Sequence, residues 1–313
     1  MKLSHLYILF LIFPIYLFAQ NEIDKTIYFD STYQKTDEEN HFYYMVIKEY
    51  YAEKDNYTIE EYFKSGKLKK VGTSAEKDTY KYFDFLTNYY ENGIVEEKTF
   101  YTDGQPLGPY FKWYENGNKQ SEGEYIKDDS ASNLKINNFW DESGIQKAKD
   151  GNGFYEVDDG NVFLSGNIQN GFKHGIWEGI DEKLNITFSE NYKNGKLISG
   201  VSIDENLTER TYKDIQVRPT PKNGITDFYN FVAKNFKVPE DETANGKIIL
   251  TFIIDKTGKI KDIEVIRGIS EETDAEAVRV LKLYDKWEIA KSRGIDVDAR
   301  FSLPINIMNG GRR

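Results

Sequence analysis

The sequence has no cysteine, only seven prolines and only three histidines in 313 residues. Without a thiol there can be no disulfide framework, thiolate zinc site, iron–sulfur cluster or cysteine nucleophile, so stability must come from packing. His5 lies within the first twenty residues. His41 and His174 have no spacing that suggests a shared metal, and His174 sits in Phe172-Lys173-His174-Gly175, which reads as a turn. Basic side chains are in deficit, 41 against 52 acidic, for a net charge of −11. That balance argues against nucleic acid, whose phosphates need a cationic face. No Gly-x-Ser-x-Gly elbow, phosphate-cradling glycine loop or His-Glu-x-x-His is present. Adjacent carboxylates such as Glu96-Glu97, Asp128-Asp129 and Asp158-Asp159 would point to opposite faces of a strand and could not share a substrate. The expectation is a non-enzymatic chain with no cofactor and no metal.

What the chain does have is aromatic side chains: 23 Tyr, 20 Phe and 4 Trp, a bias that favours pleated, half-buried strands. Residues 1–20 read as a signal peptide, with Lys2 at the start, an apolar run from Leu6 to Phe18 and small Ala19 before Gln20. The run is shorter than the roughly 20 residues a spanning helix needs, and Pro14 interrupts it. The mature chain is therefore expected outside the cytoplasm; left uncleaved, the segment would be the chain's one membrane contact.

Glycines preceded by a polar turn residue recur at Gly66, Gly93, Gly117, Gly144, Gly171 and Gly195, at spacings of 27, 24, 27, 27 and 24. Such a period indicates a repeat architecture. Aromatics stand before most of these turns (Tyr62-Phe63, Tyr89-Tyr90, Trp113-Tyr114, Phe139-Trp140, Tyr192), so each period predicts one hairpin. A lone hairpin cannot bury its apolar face, and the hairpins should stack into one antiparallel sheet. Residues 21–60 are read as a cap on that sheet, 61–205 as the repeats, and 206–223, with Pro219 and Pro221, as a linker.

From 224 to 313 the pattern changes. Phe228, Phe231, Val232 and Phe236 mark one face of a helix, and Gly246 to Asp255 and Ile260 to Ile266 mark two strands joined at Gly258. Thr273-x-x-Glu276 reads as a capping box opening a second helix that buries Ala277, Leu281 and Tyr284. From Val297 to Ile307 apolar and polar residues alternate strictly. The fold class is mainly β plus α+β: an N-terminal β-hairpin repeat sheet followed by a C-terminal α+β domain. Residues 215–313 carry 17 basic and 15 acidic side chains, a net +2, which leaves −13 on the first 214 residues. The acidity of the repeat half reads mainly as a means of keeping an aromatic sheet soluble.

Two resemblances follow from these residues. Tyr90-Glu91-Asn92-Gly93, Trp113-Tyr114-Glu115-Asn116-Gly117 and Asn170-Gly171-Phe172-Lys173-His174-Gly175-Ile176-Trp177 resemble MORN-variant repeats, which implies an interaction or spacer surface. The run Gly246 to Asp255, with Gly258, Val265-Ile266-Arg267-Gly268, Asp274-x-Glu276-Ala277, Trp287, Gly294, Val297 and Phe301-x-x-Pro304-Ile305, is similar to the TonB C-terminal domain. That resemblance implies a periplasmic protein, or one anchored in the inner membrane and facing the periplasm. It also implies a partner, an outer-membrane transporter or its extended N-terminal segment, bound by β-augmentation, with energy-coupled transport as the expected setting. Other envelope proteins could bind the repeat sheet. Two departures stand against a literal energy transducer: the chain has no Pro-rich run, and Ile289 stands where the family carries proline after the tryptophan.

An edge strand leaves main-chain groups for an incoming strand, and proline is tolerated chiefly there. The strand holding Pro304 is thus the expected docking edge, and the candidate partner-binding residues are Val297, Asp298, Ala299, Arg300, Phe301, Ser302, Leu303 and Asn306. Odd positions should face the core and even ones the partner. The competing reading is a structural spacer or assembly scaffold in the cell envelope acting through the repeat sheet.

Overall fold

The computed structural model describes residues 23–127, 134–237 and 245–307. The expected signal segment and the Asp128-Asp129 pair lie outside the described residues. The chain divides into two compact units, 1–120 and 121–313.

The first unit is an antiparallel meander of β1 (Lys25–Phe29), β2 (Lys35–Thr36), β3 (Tyr43–Ile47), β4 (Tyr57–Phe63), β5 (Leu68–Ser74), β6 (Tyr82–Tyr89), β7 (Val95–Thr102) and β8 (Gln105–Trp113). β1 pairs with both β2 and β3, and from β3 onward each strand pairs with its successor. Its turn chemistry explains the period. At the β6–β7 turn the Gly93 N–H donates to Tyr90 O and the Tyr90 N–H to Ile94 O, both 2.9 Å, with Gly93 at φ 89°. Gly66 and Gly117 repeat this geometry. A left-handed residue at that position favours glycine. Asn92 Oδ1 accepts from Ile94 N at 2.9 Å, and its amide donates to Glu115 O in the next turn. Tyr90 Oη likewise donates to Trp113 O at 2.8 Å. Aromatic-x-Asn-Gly is therefore a turn that grips the following turn.

The second unit takes in β9 (Lys119–Tyr125) from Ser121 on and continues through β10 (Leu134–Trp140), β11 (Gln146–Lys149), β12 (Asn152–Asp158), β13 (Val162–Gln169), β14 (Phe172–Asp181), β15 (Ile186–Lys193), β16 (Lys196–Asp204) and β17 (Glu209–Tyr212). Three strands, β11 to β13, lie between Gly144 and Gly171, so those two turns stand at opposite ends of the sheet. The 27-residue spacing hides this inversion. Asn170-Gly171 and Asn194-Gly195 are two-residue turns with both φ positive, unlike the four-residue turns of the earlier copies. The Gly171 turn stacks on the Asp150-Gly151 turn, Gly171 N donating to Gly151 O at 2.8 Å, and a Cβ on Gly151 would come within 2.6 Å of Gly171 N. His174 lies within β14 rather than in a turn. Glycines inside strands serve a second purpose: Gly166, Gly179 and Gly200 stand opposite Trp177, Phe188 and Tyr212, whose rings cover them.

After the sheet come β18 (Gln216–Val217), β19 (Thr220–Pro221), α1 (Ile225–Asn235), β20 (Gly246–Ile254), β21 (Ile260–Arg267), α2 (Glu271–Lys282), β22 (Trp287–Glu288), β23 (Ala290–Ser292), β24 (Ile295–Val297) and β25 (Ala299–Ile307). The sheet β21-β20-β25 packs against both helices, with Phe228, Leu250, Phe252, Leu281, Trp287 and Leu303 among its buried core. The mainly-β chain with a C-terminal α+β domain is as the sequence predicts. Three details differ. Ser270, not Thr273, caps α2, its side chain accepting from Thr273 N at 3.1 Å. The alternating segment is two strands, β24 and β25, broken at Asp298. Residues 206–223 are no free linker: they hold β17, which pairs with β16, then β18 with β23, and β19 with β22. Two-residue strands pairing some 70 positions away leave no periodicity for a sequence reading to find.

Candidate functional site

β25 pairs with β20 along its whole length, Ala299 opposite Ile254 to Ile307 opposite Gly246, and with no other strand among the described residues. Pro304 stands opposite Ile249 and has no N–H, so Pro304 is a position whose main chain faces away from β20. Main-chain groups alternate along an antiparallel pair. Arg300, Ser302 and Asn306 therefore turn their N–H and C=O groups to the free edge, while Ala299, Phe301, Leu303, Ile305 and Ile307 face β20. Side chains alternate too: Leu303, Ile305 and Ile307 are buried, and Arg300, Ser302, Pro304 and Asn306 are exposed.

Two grooves run along that free edge, and no residue of β20 lines either one. The first, about 650 Å³, lies between β25 and a wall made by β18 and β23, with Val217, Arg218, Lys291, Arg300 and Ser302 among its lining. The second, about 420 Å³, lies between the end of β25 and α1, lined by Tyr229, Val232, Phe236, Asn306 and Ile307 with no charged residue.

The eight expected contact residues divide accordingly. Arg300, Ser302 and Asn306 come together on the open side. Val297 belongs to β24 and pairs with Ala290. Asp298 is held by Lys261 Nζ at 2.6 Å and Lys256 N at 2.9 Å, and the lysine first, then the amide, hold its carboxyl below the usual carboxylate range. Ala299, Phe301 and Leu303 direct their main chain at β20, and Phe301 packs beside Phe252 and Trp287. The physical reason is one alternation acting twice: residues whose side chains fill the core also spend their hydrogen bonds inward. Trp287 is a core residue, flanked by Phe228, Phe252, Tyr284 and Phe301.

A second constellation gathers around Arg293. β23 and β24 are joined by the two-residue turn Arg293-Gly294, Ser292 facing Ile295. Both residues have positive φ, 48° and 80°. Asn, Asp or Gly would suit the first position, and arginine there costs about 1–2 kcal/mol. Its side chain enters the repeat sheet. Arg293 Nη1 lies 3.0 Å from Asp181 Oδ2, Nε lies 3.1 Å from Glu190 Oε1, and the guanidinium stacks 4.0 Å from the Phe188 ring centre. All three charged groups are buried. Glu190 also accepts from Tyr192 Oη at 2.7 Å and Tyr212 Oη at 2.8 Å; burial first, then the Glu190 carboxylate, push both phenols up. Ser202 Oγ donates to Arg293 O at 2.7 Å, and Arg293 N donates to Ile215 O at 2.7 Å. Nearby Lys173 lies over Trp177 and Tyr192, and burial lowers its pKa to about 8. The sequence signal was an Arg-Gly turn where Asn-Gly is the ordinary choice.

Residues 240–306 match the family model for the Gram-negative bacterial TonB protein C-terminal. The chain carries a TonB C-terminal domain. The match takes in β20 to β25 and the Arg293 turn, while β18, β19 and α1 lie outside it. No curated protein matches the chain.

Proposed function

We propose that the chain is a non-enzymatic protein of the bacterial envelope, exported to the periplasm, whose TonB C-terminal domain binds an extended segment of an outer-membrane partner by β-augmentation at β25. The observation that carries this reading is a nine-residue strand hydrogen-bonded on one side, with grooves along the other that leave room for a partner's side chains. The mixed, partly paired charge of the edge (Arg300 with Glu264, Lys291 with Asp296) suits a contact made mainly through main-chain bonds. The repeat sheet, whose turns resemble MORN-variant repeats, would act as a stiff support for this edge.

The clean perturbation is Ser302→Pro, which removes an outward N–H and leaves the bonds to β20 in place; Phe301→Pro would cut the ladder and the core together. Tagged full-length chain should recover outer-membrane transporters from an envelope extract, and the folded Ser302→Pro chain should not. Equal recovery by both would defeat the augmentation reading.

A concavity of about 490 Å³ on the outer face of β13 to β16, with the exposed Phe163 and Ile180 in it, supports the second reading, a scaffold that makes its contacts through the repeat sheet. Under that reading, recovery would respond to Ile180→Asp and ignore Ser302→Pro.

A further inference from the structure

The wall of the larger groove is weakly built. Residues 213–218 have no buried side chain. β18 is held by two residue pairs to β23 and by the bond from Arg293 N to Ile215 O. A two-residue ladder is not stable by itself. The other part of the wall, Lys291 and Ser292, immediately precedes Arg293 in the chain. Pro219 and Ala290 are held separately, by the β19–β22 pairing next to Pro219 and by the Ala290–Val297 pair. The 213–218 strap and the Lys291-Ser292 part of the wall meet at one residue, and that residue is anchored in the repeat sheet by two buried ion pairs at sequence separations of 103 and 112.

We propose that Arg293 is a latch that sets the groove beside β25 from within the repeat sheet. Seated between Asp181 and Glu190, it holds β23 and the 213–218 strap in position and completes the groove. Withdrawn, it frees the strap and leaves β25 facing only the part of the wall at Pro219 and Ala290. A segment that touches both β25 and the wall binds the seated state more tightly, and by linkage its binding favours seating. Docking of the TonB C-terminal domain on the sheet and occupancy of the edge are then one equilibrium. The strained turn fits this role, because a left-handed arginine persists only where its surroundings hold it. The functional meaning rests on the β25 reading above, but the latch can be tested with no partner present.

Because the chain lacks cysteine, Arg218→Cys and Arg300→Cys place two nitroxide labels on opposite walls of the groove without competing thiols. Pulsed electron paramagnetic resonance on the full chain should give one narrow distance distribution. Adding Arg293→Ala should broaden it roughly twofold or add a longer distance, as local opening would. Glu190→Gln, which keeps side-chain volume, is the milder variant should Arg293→Ala fail to fold, and Ser202→Ala is milder still. An unchanged distribution in the folded variants would overturn the latch and leave the β25 reading intact. Undiminished partner recovery by Ser302→Pro would instead remove the β25 reading and leave the latch standing.

Discussion

Replacing Arg293 by alanine should be among the most damaging single changes in the second unit. The substitution removes a guanidinium shared by two buried carboxylates. Asp181 would keep only the Leu184 N–H at 3.0 Å, and Glu190 only its two tyrosine hydroxyls. Leaving a buried charge without its partner costs about 3–5 kcal/mol. In a unit of this size that corresponds to a fall in melting temperature of about 6–20 °C, at about 2–4 °C per kcal/mol. Arg293→Gly should be milder than Arg293→Ala by about 1 kcal/mol, because glycine also relieves the left-handed backbone. Adding Asp181→Asn and Glu190→Gln to Arg293→Ala should recover part of the loss, since the two carboxylates are then neutral, while Lys173 gives up the offsetting charge of Glu190. Calorimetry of the full chain and its variants measures all three differences. A loss below about 1 kcal/mol for Arg293→Ala, the range of an exposed pair, would refute the buried-latch reasoning.

Gly166→Ala should cost about 1–3 kcal/mol by overpacking, because a Cβ there would come within 2.5 Å of the Trp177 indole; urea unfolding checks it, and a gain in stability would contradict the packing account. Lys173 gives a pH signature. Its pKa is lowered by burial to about 8 from 10.5, so the folded state is penalised for the charge below pH 8 and relieved of it between pH 8 and about 10. Stability should rise across that window by up to about 1.4 kcal/mol per pH unit, and Lys173→Met should flatten the rise. Above pH 10 the sign reverses. The raised Tyr192 and Tyr212 hydroxyls stay protonated in the folded chain while the unfolded chain loses those protons, so stability falls in both proteins.

Much of the architecture is written in local pattern. The six turn glycines all take positive φ, and the period-two run that includes β25 puts its odd side chains inward. Both are properties of adjacent residues, which is why a sequence discloses them. The inversion after Gly144 is hidden because Asn-Gly serves two turn geometries, and only the number of intervening strands tells them apart. The later part of the 206–223 stretch reads as a linker because β18 and β19 find their partners, β23 and β22, some 70 positions away. The site was half legible. Pro304 marked β25 as an edge, but which residues turn their main chain outward depends on register with β20, and this reduces eight candidates to Arg300, Ser302 and Asn306. Arg293 carries no comparable mark, because nothing in its neighbourhood announces that its carboxylate partners lie on β14 and β15.

The central claim, that β25 offers an unoccupied main-chain edge, is tested most directly by residue-resolved amide hydrogen exchange on the free full-length chain. The account predicts fast exchange at the amides of Arg300, Ser302 and Asn306 beside slow exchange at Phe301, Leu303 and Ile305. Protection of Ser302 and Asn306 equal to that of Leu303 would mean that the edge is already covered, and would contradict the account.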